Sequence, residues 1–163
     1  MDASRRRFFS LGLSVPGNRP PWAAEENLFI ARCNRCNLCV EACPQQVLRV
    51  GSGGFPSIVF DDAGCTLCGD CVKACQPRAL ECDEARQPFP WRARIGTDCL
   101  PQRGVECRIC AESCETGAIR FRPRLGGIAQ PELDIDLCNG CGECIAPCPV
   151  SCITPSPLEK KPA

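Results

Sequence analysis

The sequence predicts a small α+β fold made of two tandem modules, each built from short helices and β-hairpins gathered around cysteines. Three observations predict it. Cysteine supplies 18 of 163 residues, about 11% of the chain and above the level at which a short chain reads as a cysteine-built scaffold. The cysteines fall into four blocks, beginning at Cys33, Cys65, Cys99 and Cys138 and ending at Cys43, Cys75, Cys114 and Cys148. The steps between those last cysteines are 32, 39 and 34 residues. Blocks one and two therefore pair, as do three and four, with the longer step between the pairs.

Residues 1–23 read as a separate basic segment. Ser4-Arg5-Arg6-Arg7-Phe8-Phe9 leads into a short apolar stretch ending at Val15, and then into Pro16-Gly17-Asn18-Arg19-Pro20-Pro21-Trp22. The prolines and the glycine interrupt any helix across this join. A first module is expected over 24–84. It opens with a short helix over 24–32, placed after Pro21. Between its two blocks, Val47-Leu48-Arg49-Val50 and Ser57-Ile58-Val59-Phe60 flank Gly51-Ser52-Gly53-Gly54, which is a hairpin pattern. Residues 85–96 read as a connector containing arginine and proline. A second module is expected over 97–156. There, Ala118-Ile119-Arg120-Phe121 leads through Gly126-Gly127 to Leu133-Asp134-Ile135, a second hairpin. Residues 157–163 read as a tail. Both modules have little apolar core and are expected to be held mainly by what their cysteines bind.

Composition narrows the chemistry. Histidine is absent, which removes Cys2His2 zinc sites, Rieske centres and C-x-x-C-H haem attachment. Its absence also removes the usual acid/base group near neutral pH. There is no Gly-rich nucleotide loop and no site with an open coordination position, so the chain does not read as an enzyme. Lys+Arg and Asp+Glu both number 19, which leaves no basic excess of the kind nucleic acid attracts. No apolar run approaches the roughly 20 residues of a membrane span.

Spacing is more specific. Cys33-x2-Cys36-x2-Cys39-x3-Cys43, Cys65-x2-Cys68-x2-Cys71-x3-Cys75 and Cys138-x2-Cys141-x2-Cys144-x3-Cys148 follow the bacterial ferredoxin run, in which the fourth cysteine ligates the other cluster of a pair. Three cysteines two residues apart on a curled loop can meet three corners of one [4Fe–4S] cuboid. The fourth, one helical turn on, reaches the neighbouring site. The expected ligand sets cross: Cys33, Cys36 and Cys39 with Cys75; Cys65, Cys68 and Cys71 with Cys43; Cys138, Cys141 and Cys144 with Cys114. Zinc and disulfides are the alternatives. Neither accounts for the same four-cysteine rhythm occurring three times.

The third block departs from the rhythm. Cys107-x2-Cys110-x3-Cys114 matches the last three positions, but its first cysteine, Cys99, stands eight positions before Cys107. Lengthening a loop costs little closure entropy, so Cys99, Cys107, Cys110 and Cys148 can form a fourth set. The alternative is a degenerate block with a structural role only. Four clusters are expected, and three at minimum. Cys82 and Cys152 fall outside the rhythm and read as small buried apolar residues.

The start resembles a twin-arginine export motif, but Phe8 to Val15 is short and polar for an h-region, and no A-x-A site follows. A cytoplasmic location is expected, with periplasmic export as the alternative. Arg19 to Trp22, the basic start and the arginines from Arg86 to Arg108 are the candidate docking residues.

With these residues in view, the chain resembles the NapF-type ferredoxin-like proteins of periplasmic nitrate reductase systems. The resemblance rests on Asp2-Ala3-Ser4-Arg5-Arg6, Arg19-Pro20-Pro21-Trp22, Gly53-Gly54-Phe55-Pro56, the Cys99-x7-Cys107 block, Phe121-Arg122-Pro123 and Leu137-Cys138-Asn139-Gly140-Cys141-Gly142. It implies a cytoplasmic accessory protein whose partner is the precursor of the NapA-type catalytic subunit, which it helps to load or reduce before export. The alternative is a general electron-transfer subunit of a membrane or periplasmic oxidoreductase.

Overall fold

A computed structural model describes residues 18–83 and 86–158. The basic run Arg5-Arg6-Arg7, residues 84 and 85 of the connector and residues 159–163 of the tail lie outside the described residues. Helix α1 spans Glu26–Arg32 and ends at Cys33, whose amide still bonds the Phe29 carbonyl at 2.9 Å. After the first cysteine loop comes the single turn α2 (Leu38–Glu41). Strands β1 (Leu48–Val50) and β2 (Pro56–Ile58) then form an antiparallel hairpin, with Leu48 opposite Ile58. The turn α3 (Asp70–Lys73) closes the second block.

The second half has a different element order. Strand β3 (Trp91–Ile95) precedes a 3-10 turn at Leu100–Arg103 and the helix α4 (Ile109–Glu112). Strands β4 (Ile119–Arg124) and β5 (Gly127–Leu133) form the second hairpin, and β6 (Ile153–Pro157) follows the last block. The short helices and glycine-turned hairpins are those the sequence predicts.

The stretch read as a connector differs. Its residues Trp91–Ile95 form β3, which pairs antiparallel with β6 from Trp91 opposite Pro157 to Ile95 opposite Ile153. Large apolar Trp91 and Ile95 alternate with Arg92 and Arg94 there, a period-2 strand pattern overshadowed in the sequence by Pro88 and Pro90. Pro157, read as the start of the tail, belongs to the same pair, and the Leu158 amide donates to the Pro90 carbonyl at 3.1 Å. The first half carries a smaller version of this closure, a single antiparallel bridge between Ala23 and Leu80.

The apolar core gathers Phe29, Val47, Leu48, Ile58, Phe60, Ala79 and Leu80 from the first half with Phe89 and Trp91. Phe60 meets Phe89 edge-on with centroids 6.4 Å apart, and Phe89 stacks on Trp91 at 4.6 Å. Arg92 is buried but satisfied: its guanidinium donates to the carbonyls of Trp91 at 2.7 Å, Phe89 at 3.2 Å and Ile135 at 3.3 Å. A smaller cluster holds Cys110, Ile119, Cys144 and Ile153 in the second half.

The last cysteine loop lies directly on this core. Gly142 has φ +81°, and a Cβ built there falls 2.5 Å from the Phe60 ring. Gly69 has nearly the same φ, +78°, but faces open space. Gly69→Ala should therefore cost only left-handed strain, about 1–2 kcal/mol. Gly142→Ala adds an overpacking cost of about 1–3 kcal/mol. Denaturant unfolding of the two variants measures the difference. Equal losses would mean that Phe60 does not cover Gly142.

Candidate metal centres

Three of the four cysteine loops are bent by a pair of left-handed residues. Arg35 and Asn37 in the first block have φ of 60° and 63°, Leu67 and Gly69 in the second 55° and 78°, and Gly140 and Gly142 in the last 79° and 81°. In each case these lie two and four positions after the first cysteine. Alternating handedness turns successive backbone amides to one side, making a concavity suited to an anion or an iron–sulfur core. Asn34 and Asn139 brace two of the loops by accepting bonds from the amides of Cys36 (3.3 Å) and Cys141 (3.0 Å). The third block lacks this pair. Arg108 has φ −134°, and the loop instead makes its 3-10 turn after Cys99 and closes on Gly104.

The fold draws sixteen of the cysteines around four cavities. The first, about 320 Å³, is lined by Cys33, Cys36, Cys39 and Cys75. The second, about 340 Å³, is lined by Cys43, Cys65, Cys68 and Cys71. The third, about 400 Å³, is lined by Cys114, Cys138, Cys141 and Cys144. The fourth, about 320 Å³, is lined by Cys99, Cys107, Cys110 and Cys148. The irregular block thus lines a cavity with three of its own thiols, Cys99, Cys107 and Cys110, joined by Cys148.

All eighteen cysteines are free thiols. Among the described residues, Cys, Asp and Glu side chains nowhere converge in threes on the point of a single ion; the sulfurs line cavities instead. Four soft sulfur donors around a common space fit a polynuclear iron–sulfur core, bound one thiolate per iron.

The four cavities follow one another in space. Cys39 of the first is close enough to raise the pKa of Cys71 in the second. Cys65 of the second feels Cys141 of the third, and its amide donates to the Cys141 carbonyl at 2.8 Å. Cys110 of the fourth raises Cys144 of the third. The order is therefore first, second, third, fourth, with the middle step crossing between the two halves.

Electrostatics differ between positions. Burial, then mutual repulsion among neighbouring thiolates, pushes Cys39 and Cys110 up to about 11 and Cys71 and Cys144 up to about 12. Burial likewise takes Cys65 to about 11. Cys114 and Cys148 move the other way. Burial raises them, but it is outweighed by donors: the Thr116 hydroxyl and the amides of Ile119, Ala118 and Thr116 for Cys114, and mainly the amides of Cys152, Val150 and Ile153 for Cys148. At these two crossing cysteines the donors favour the thiolate over the thiol.

The remaining two cysteines part company. Cys82 is exposed and lines none of the four cavities. Cys152 lines the fourth, with its sulfur 3.6 Å from that of Cys148. Spacing missed it because it lies outside the ligand run, although the fourfold repeat marks its position. The candidate docking residues also change character. Pro20 and Pro21 are almost fully buried, and Arg19 pairs with Glu26 and covers the Phe29 and Phe55 rings at 4.7 and 5.3 Å. The Trp22 amide bonds the Pro88 carbonyl at 2.8 Å, and Arg86 donates to the Ala23 carbonyl at 2.9 Å. Arg19 and the buried Arg92 thus serve the body of the protein, whereas Arg86, Arg94, Arg103 and Arg108 stay exposed.

Known proteins match at this level. The 4Fe-4S dicluster domain matches residues 32–79 and 104–152, together more than half of the chain. The chain is 44% identical over 156 residues to the ferredoxin-type protein NapF of Escherichia coli K12, covering 94% of each. It is 43% identical over 147 residues to the NapF of Haemophilus influenzae, covering 88% of this chain and 81% of that one. Similarity extends to the ferredoxin-type protein NapG of Escherichia coli, 32% identical over 151 residues, with 80% and 65% covered.

The thiol pKa values carry a pH dependence. Ligands bind iron as thiolates, and groups at about 11–12 are protonated between pH 7 and 9. Each such ligand releases a proton on binding, so iron uptake by the metal-free chain should tighten as pH rises through that window. Iron titrations at fixed sulfide measure it. An affinity unchanged from pH 7 to 9 would mean the thiols are already ionised.

Proposed function

The chain belongs to the NapF family of ferredoxin-type 4Fe-4S dicluster proteins, and from that premise we propose that it is a four-cluster electron-transfer accessory protein serving a periplasmic nitrate reductase. Its cofactors are [4Fe–4S] clusters. The observation that carries the four-cluster reading is the set of four cavities, each lined by three thiols from one block and one from its pair, with Cys152 a fifth in the last. The first module, with two clusters, is closed by the Ala23–Leu80 bridge, and the second by the β3–β6 pair.

A bound [4Fe–4S] cluster supplies one-electron exchange. The chain does the rest. Sixteen thiolates hold the cores, and the curled loops aim amides at them, which tunes potential. The burial of Cys39, Cys71, Cys110 and Cys144 keeps water from one side of each site. The succession of sites supports a single-file relay. Tunnelling falls off exponentially with distance, and the Cys65–Cys141 hydrogen bond joins the middle pair by a short path.

In this reading the chain acts as an electron carrier, as befits a ferredoxin-type iron–sulfur protein. In this reading it works in the cytoplasm on the precursor of the NapA-type catalytic subunit, loading or reducing that subunit's own cluster before export. No described helix is long and apolar enough to cross a membrane. With Arg19 to Trp22 occupied internally, the remaining docking candidate in the amino-terminal segment is the basic run before it.

Anaerobically purified protein should hold about 16 iron and 16 sulfide per chain. Affinity capture from fractionated cells, with wild type and with residues 1–17 deleted, tests the partner. Capture of the precursor from the cytoplasmic fraction by wild type supports the accessory role. Its loss on deletion places docking in that segment. No capture together with a periplasmic location would overturn the accessory role in favour of a general electron-transfer subunit.

A further inference from the structure

The fourth cavity differs from the other three in the chemistry of one equivalent wall position. After each crossing cysteine the chain makes the same turn. Gln46, Arg78, Gly117 and Ser151, each three residues on, have φ of 52°, 53°, 62° and 48°. Their amides donate to the carbonyls of Cys43, Cys75, Cys114 and Cys148 at 3.1, 3.1, 3.0 and 3.1 Å. The next residue is thereby delivered to the wall of the cavity. In three cases it is apolar and almost wholly buried: Val47, Ala79 and Ala118. In the fourth it is Cys152.

Two further observations converge on this thiol. The ends of β3 and β6, Ile95 and Ile153, stand opposite each other. Beyond them Gly96 holds both cysteines: its amide donates to the Cys152 carbonyl at 2.8 Å, and its carbonyl accepts from the Cys99 amide at 3.3 Å. Cys152 thus lines the same cavity as Cys99 and lies 3.6 Å from the Cys148 sulfur. Cys99 is also the one ligand displaced from the ferredoxin rhythm. The site with the irregular ligand is the site with the spare thiol.

We propose that Cys152 is a fifth, exchangeable ligand of the fourth cluster, able to replace Cys99 on the same iron. The inference rests on the four-cluster reading. In the exchange the Cys99–iron bond breaks and the Cys152–iron bond forms. The proton leaving Cys152 passes to the departing Cys99 thiolate, and no electron is gained or lost. The fourth site can then rearrange its ligands without leaving an iron bare, as the other three cannot.

The test compares iron content in anaerobically purified full-length wild type, Cys99→Ser, Cys152→Ala and the double variant. Alanine is the residue that Ala79 and Ala118 place at the equivalent position, so Cys152→Ala leaves the wall intact. Each single variant should keep the wild-type iron content, and the double variant should lose about a quarter of it. Alkylation of the holo-protein with iodoacetamide, read by mass spectrometry, supplies a second measure. Cys99 and Cys152 should each be partly labelled in wild type, and Cys99 should become protected in Cys152→Ala, with exposed Cys82 labelled throughout. Loss of about a quarter of the iron in Cys99→Ser alone would overturn the exchange, as would a fully labelled Cys152 beside a fully protected Cys99. Wild type with about 12 irons and all five thiols labelled would instead overturn the four-cluster reading on which it rests.

Discussion

Everything in this fold depends on the crossing of the fourth cysteine. Each block gives three thiols to one cavity and sends the last to the neighbouring one, so neither site of a pair can form without both blocks in place. That requirement sets the single-turn helices α2 and α3 side by side and fixes the distance at which the chain must return after each hairpin. It also explains why helices only four residues long persist. Elements so short are marginal on their own, and they are held here because both ends lead into cysteines committed to different sites.

The same constraint puts a cost into the metal-free chain. Thiols that are buried and crowded, such as Cys71 and Cys144, resist ionisation. The crossing cysteines Cys114 and Cys148 are favoured as thiolates by amides of the turns that follow them. In the proposed reading iron binding would supply the energy to reconcile these demands, as in other domains where metal and folding are linked. Apolar packing contributes most where the halves meet. There Phe60, Phe89 and Trp91 form a continuous aromatic run, and the Trp91 indole donates to the Gly140 carbonyl at 3.1 Å. That join brings the second and third cavities together, so packing at one place governs the continuity of all four sites.

This arrangement bears on how arginines are used. Sixteen arginines against three lysines invite a reading as partner-binding residues, and arginine is common at interface hot spots. Arg19, Arg86 and Arg92 are instead spent on internal carbonyls, a carboxylate and aromatic faces. A guanidinium keeps its charge when buried and offers five donors, which suits a small protein whose turns leave many carbonyls to satisfy.

The cysteine rhythm was legible in three of the four blocks, because spacing is local: the C-x2-C-x2-C-x3-C run itself implies the crossed grouping in which the cysteines line the cavities. The two hairpins and α1 were legible for the same reason, through glycine turns and flanking apolar runs. Tertiary structure decided what depends on residues distant in the chain. Trp91–Ile95 became a strand only because β6 returns to pair with it. Arg19-Pro20-Pro21 became a structural anchor only because Phe29 and Phe55 stand beneath it. Whether Cys99 could join a site across its long loop was left open by spacing, and the fold places it beside Cys148. Cys152 marks the limit most clearly. Its neighbours in sequence give it no role, and only the repeated turn and the β3–β6 pairing carry its sulfur to the fourth cavity.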